Sequence, residues 1–136
     1  YEELLETQTS LFDPRVSARI LASRGRTASD YICLGFERRR LQLEFWGSCT
    51  GFDAVLAPTV ACLPPYLKDL AEDDAYFRAN ARVLRNTQVL NLLGVPALSV
   101  PCGRMVGVSV AARPREEALV LSVADALAGE PGSVAA

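Results

Sequence analysis

Histidine is absent from the 136-residue sequence, and lysine occurs once, at Lys68. That absence removes every mechanism built on a protein imidazole, including Ser–His and Cys–His nucleophile activation and the usual zinc sites. No uninterrupted apolar stretch approaches the roughly 18 residues of a membrane helix. No basic, then apolar, then small-residue leader is visible either, so neither a membrane partner nor a secretory signal is expected. An excess of positive charge is also missing. Fourteen Lys+Arg face sixteen Asp+Glu, for a net charge of −2, whereas a dedicated nucleic-acid binder needs a clustered cationic surplus. The four cysteines, Cys33, Cys49, Cys62 and Cys102, lie 16, 13 and 40 residues apart. None forms a C-x-x-C pair, so no metal site or redox motif is expected. They read as reduced, mostly buried thiols of a cytoplasmic protein.

What is present is the balance of a globular chain: 50% hydrophobic and 22% charged residues. At this length one domain buries about two-thirds of its unfolded surface, enough for a single core. The first residue is Tyr1 rather than Met, which suggests processing or a piece of a longer sequence.

Asp13-Pro14 is a helix-start signal, an N-cap followed by proline at the first helical position. It predicts a helix from Pro14 to about Ser23, stopped at Gly25. Thr27 with Asp30 resembles a capping box and predicts a second helix to about Ser48, with Gly51 just beyond. On it Leu34, Leu41 and Phe45 recur at helical spacing. Arg38, Arg39 and Arg40 cross it as a solvated or stem-packed band. Ala54 to Ala57 reads as a buried strand, and Pro58, Pro64 and Pro65 make the next stretch an irregular loop. Asp69, Glu72, Asp73 and Asp74 lead into a helix that frays before Gly94. Ala97–Val100 and Val106–Val110 are strands joined across Cys102–Met105 as a hairpin. A last helix is expected from Arg115 to about Ala128, ended by Gly129, with a frayed tail over Glu130–Ala136. Three strongly apolar strands imply an α/β segment of a larger sheet covered by helices on both faces.

No complete catalytic apparatus emerges from these residues. Gly47-Ser48-Cys49-Thr50-Gly51 matches a G-x-nucleophile-x-G elbow, but a helix precedes it where a strand is required, and no base is available. A helix C-cap and turn explain it better. Lys68 sits in an expected exposed loop, where it lacks the desolvation a catalytic lysine needs. The pairs Asp73-Asp74 and Glu116-Glu117 fall at helix N-termini, where the dipole accounts for them. No phosphate-binding glycine loop is present, because Gly103 and Gly107 lack the G-x-x-G-K continuation.

The stretch Phe52-Asp-Ala-Val-Leu-Ala-Pro-Thr59 resembles the F/Y-D-A/V-L/I-L-x-P-T segment of the amidase signature family. Leu84-Arg-Asn-Thr87 continues the likeness. Asn91-Leu-Leu-Gly-Val-Pro-Ala-Leu-Ser-Val-Pro-Cys-Gly103 is similar to the family's N-x-x-G-L/V-P-A-L/I-S-L/V-P-C-G. Val106–Val110 and Arg113-Pro114 resemble its P-V-G-x-Q strand and G-R-P turn. Asp13–Val16, Thr27–Ile32 and Arg38–Arg40 are similar to upstream family segments. The likeness is collinear over nearly the whole chain. It implies that residues 1–129 are the C-terminal segment of an amidase domain with an amidase-type mixed sheet, followed by a flexible tail over 130–136.

Family members hydrolyse amides with a Ser–cis-Ser–Lys triad, without a cofactor, and the triad lies in a Gly/Ser-rich signature upstream of the segments seen here. No catalytic residue therefore carries over, and Lys68 lies in the wrong segment. Two substrate-binding residues are implied: Thr59, in a loop at a strand end, and Arg19, the nearest match to an arginine that contacts the substrate carboxylate in glutamine-using members. The partner implied is a small-molecule amide in the full-length protein, with a homodimer as one option. Three departures bear on the substrate class: a shorter Cys102–Val106 connection, Met105 in place of proline, and Ser109 where glutamine is common. The readings are an amidase-type hydrolase segment, the ammonia-releasing component of a glutamine-dependent amidotransferase, and a truncated chain without catalysis.

Overall fold

A computed structural model of the chain describes residues 2–129; the tail over 130–136 lies outside them. The element order is α1 (Glu2–Thr7), a 3-10 turn (Thr9–Leu11), α2 (Pro14–Leu21), α3 (Ala28–Ser48), β1 (Ala54–Pro58), a 3-10 turn (Leu67–Leu70), α4 (Asp73–Leu93), β2 (Ala97–Gly103), β3 (Val106–Ala112) and α5 (Glu117–Ala128). The α/β class is the expected one. Two compact units divide between Glu37 and Arg38, and each is described by itself.

In the N-terminal unit, local chemistry sets the helix ends. Asp13 caps α2 by accepting from the Arg15 amide at 2.8 Å, with Pro14 inside the first turn. The helix stops at Leu21, two residues short of expectation. Its exit tightens into 3-10 bonds, from the Ser23 amide to Ile20 and from the Arg24 amide to Leu21, before Gly25 at φ +83°. Helix α1 was not expected; Arg24 reaches Glu6 on it at 3.1 Å. Helix α3 opens with the predicted capping box. The Thr27 amide and hydroxyl both donate to the Asp30 carboxylate, at 2.8 and 2.9 Å, and the Asp30 amide donates back to the Thr27 hydroxyl. The bonds from the Thr27 amide and then its hydroxyl hold the exposed Asp30 carboxyl below its ordinary value of 3.8.

The C-terminal unit is built on a three-stranded antiparallel sheet in the order β1-β3-β2. Its register places Leu56, Val110 and Leu98 in one row and Ala57, Ser109 and Ser99 in the next, on the opposite face. Helix α5 packs on the first face, and Val100, Val110, Ala112, Val120 and Ala124 form the buried core there. Small side chains let helix and sheet approach closely, and each fully buried valine contributes about 1.5–3 kcal/mol.

Several expectations change here. Strand β1 is only partly buried, with Leu56 half-exposed, because β1 is an outer strand. The hairpin strands run further than predicted, to Gly103 and Ala112. They turn through Met105 at φ +61°. Arg115 does not start α5: its φ of +72° is incompatible with a right-handed helix, and α5 begins at Glu117. The Glu116 carboxylate instead accepts from the Arg113 amide at 3.1 Å. Helix α4 does not fray. It continues to Leu93 and ends on Gly94 at φ +66°, a left-handed cap that glycine adopts without a Cβ penalty.

Candidate functional site

The sheet face opposite the α5 core carries Thr59. Its backbone amide donates to the Gly107 carbonyl at 2.8 Å, and Asn86 on α4 donates to the Pro58 carbonyl at 2.7 Å, which pins the strand end. The Thr59 hydroxyl lies 2.6 Å from that of Ser99 and accepts from Ser109 at 3.0 Å. Ser109 is buried, Thr59 half-buried and Ser99 exposed, so the three hydroxyls form a short chain from the interior to the surface. A Cβ at Gly107 would stand 2.7 Å from the Ser99 hydroxyl and 3.1 Å from that of Thr59, so this chain requires glycine there. Three hydroxyls with only two bonds among them keep one O–H and several lone pairs for a ligand. No acid or base touches them. The arrangement is suited to hydrogen bonding and not to generating a nucleophile.

A second cluster lies along α3 and the β3–α5 junction. Arg39, Gln42, Leu43, Trp46, Leu93, Arg113 and Pro114 are among the residues lining a cleft of about 380 Å³. The Arg113 guanidinium stacks over the Trp46 ring, 4.8 Å from its centre. The Trp46 indole N–H is buried with no acceptor in reach, a donor whose desolvation costs about 1–3 kcal/mol. The cleft was not foreseen. Arg39 and Trp46 stand seven residues apart on one helix face, a spacing legible in the sequence. Arg113 joins them only through the fold.

Arg38, expected in a solvated band, is instead specific. It donates to the Leu92 carbonyl at 2.5 Å, while Gln42 donates to the Leu93 carbonyl at 2.8 Å. Together they satisfy the last carbonyls of α4. Arg40 pairs with Glu44 at 2.6 Å.

The two expected substrate-binding residues fall in different units. Thr59 meets Ser99 and Ser109. Arg19 is exposed on α2 and lines a shallow depression with Val16 and Ile20. Lys68 is exposed in its 3-10 turn, 5.4 Å from the Tyr66 ring centre. Cys49 and Thr50 lie in the turn that ends α3, where the Thr50 hydroxyl donates to the Gly47 carbonyl at 2.8 Å and Gly51 has φ +89°. That is the helix-end reading of this motif. The cysteines are free, but none is buried as expected: Cys33 and Cys102 are exposed, and Cys49 and Cys62 are half-buried. Among the described residues no cluster of His, Cys, Asp and Glu could hold a metal ion. No helix among them is long and apolar enough to cross a membrane.

Comparison with known proteins decides the family. A family profile described as Amidase matches residues 2–121. The chain belongs to the amidase family. It is 33% identical over 124 residues to 2-amino-5-chloromuconic acid deaminase of Comamonas testosteroni, covering 82% of this chain and 27% of that protein. Against fatty acid amide hydrolase of Arabidopsis thaliana the identity is 32% over 123 residues, covering 85% of this chain and 20% of the hydrolase. A glutamyl-tRNA(Gln) amidotransferase component of Chloroflexus aurantiacus is 29% identical over 136 residues, covering 93% of this chain and 27% of that component. This amidase-family chain therefore spans between a fifth and just over a quarter of the length of these curated relatives.

Proposed function

We propose that the chain is the C-terminal part of an amidase-type hydrolase that cleaves carboxylic amide bonds. The observation that carries this reading is the family match over residues 2–121. The Ser–Ser–Lys triad implied by the family belongs to upstream sequence. The role left to these residues is to complete the fold and to supply individual substrate contacts. Thr59, backed by Ser99 and Ser109, offers an O–H and lone pairs to a substrate carbonyl or amide. Arg19 offers a guanidinium to a substrate carboxylate.

The test compares the 136 residues alone with a longer polypeptide that adds the upstream amidase segment, using a simple aryl amide. Hydrolysis is expected only in the longer protein, and replacing its signature serine abolishes it. Turnover by the 136 residues alone, lost on denaturation, overturns the reading. The ammonia-releasing component of a glutamine-dependent amidotransferase is the second reading, favoured by alignment over 93% of this chain. It predicts release of ammonia from glutamine only when the other components of the complex are present. If neither activity is seen in the longer protein, the chain is a truncated, non-catalytic form.

A further inference from the structure

We propose that the cleft bounded by Arg39, Trp46 and Arg113 binds a small organic carboxylate with an aromatic or aliphatic body. Its volume of about 380 Å³ lies at the lower end of the range for small-molecule sites, roughly 300–1,000 Å³. Leu43, Leu93 and Pro114 supply apolar walls. The charged groups are both cationic, and no Asp or Glu lines the cleft. Among the described residues neither Arg39 nor Arg113 is engaged in an ion pair, so both guanidiniums keep donors for an anion. Arg113 is already oriented, stacked on Trp46 at 4.8 Å and steadied by the Cys49 carbonyl at 3.5 Å. Ordering it in advance lowers the entropic cost of binding. A planar guanidinium fork matches a carboxylate bidentately, whereas the apolar walls disfavour a fully hydrated inorganic anion. Charge and shape together select an amphipathic anion over a neutral amide or a bare phosphate.

Trp46 is the single tryptophan, so its emission reports on the cleft directly. The purified 136-residue chain is titrated with sodium benzoate, and in parallel with benzamide and sodium phosphate. Benzoate is expected to give a saturable change in Trp46 emission, with benzamide and phosphate each at least about tenfold weaker. Arg113→Gln and Arg39→Gln are each expected to weaken benzoate about tenfold. Arg39 is exposed on α3, so its variant keeps the wild-type far-ultraviolet circular dichroism and separates lost binding from lost folding. The proposal is overturned by any of three results: no saturable response to benzoate, equal responses to benzoate and either control ligand, or an unchanged benzoate curve in Arg39→Gln.

Discussion

Helices α5 and α3 are both rich in apolar residues, yet they are used in opposite ways. Helix α5 buries Val120 and Ala124 against Val100, Val110 and Ala112 of the sheet. Helix α3 spans 21 residues and buries none of them. Its Ile32, Leu34 and Phe36 stand 57, 59 and 72% exposed. The difference is one of partners, not of composition: a stripe of apolar side chains contributes stability only when something covers it. The polar contacts of α3 carry the structure instead, through the Thr27–Asp30 box at its start and the Arg38 and Gln42 bonds to α4. One region owes its stability to burial, the other to helix ends.

The largest test of that contrast is a charge placed in each region. Val110→Asp, at a side chain with no exposure, is expected to abolish cooperative urea unfolding, a loss of more than about 4 kcal/mol. Leu34→Asp should change stability by less than about 0.5 kcal/mol and weaken the binding of a hydrophobic dye. Comparable losses in the two variants would erase the distinction. Val120→Ala comes next, with about 2 kcal/mol lost from two methyl groups and the remaining cavity, read as a lower urea midpoint at unchanged slope. Gly94→Ala forces a Cβ into a left-handed backbone and toward Arg38, 2.8 Å away. About 1–2 kcal/mol is expected, mostly from the backbone since the arginine tip can yield. Arg38→Ala should cost about 1 kcal/mol, the net value of its bond to the Leu92 carbonyl.

The smallest effect concerns pH. Asp30 is held below 3.8 in the fold by its bonds from Thr27. Its contribution is complete above that ordinary value and is lost as pH falls through the lower folded value. Carboxyl chemical shifts followed by NMR should therefore titrate below 3.8 in the wild type and move up toward it in Thr27→Ala. A titration at the ordinary value in both proteins would remove Asp30 from the account of how α3 starts.

Features written in short spans were legible in the sequence. Asp13-Pro14 marks one helix start, Thr27 with Asp30 another, and Gly51 one helix end, because caps depend on residues a few positions apart; the clean end of α4 on Gly94 is not among them, since fraying is the expectation there. The hairpin was also readable, since its strands are neighbours. Burial was not. The sequence periodicity of Leu34, Leu41 and Phe45 is real, but it does not say whether a partner covers that face. The order β1-β3-β2 was equally hidden, and with it the meeting of Thr59, Ser99 and Ser109, three residues that only the register aligns. Thr59 was singled out from its loop position, but its hydroxyl partners were not. The Arg39–Trp46–Arg113 cleft needed the same long-range information, with only its Arg39–Trp46 half present as a helical spacing.

Strand order also has a consequence in time. Among the described residues, strand β1 pairs only with β3, whose paired residues lie 50 to 58 positions later in the chain. On a ribosome moving at about 5–20 residues per second, that partner arrives roughly 3–12 s after β1 has been made. Through that interval Val55 and Leu56 are without the β3 partner they take in the finished sheet. The β2–β3 hairpin closes within microseconds of its second strand appearing. Of the three described strands the last made is the central one, so the described sheet waits on the synthesis of β3.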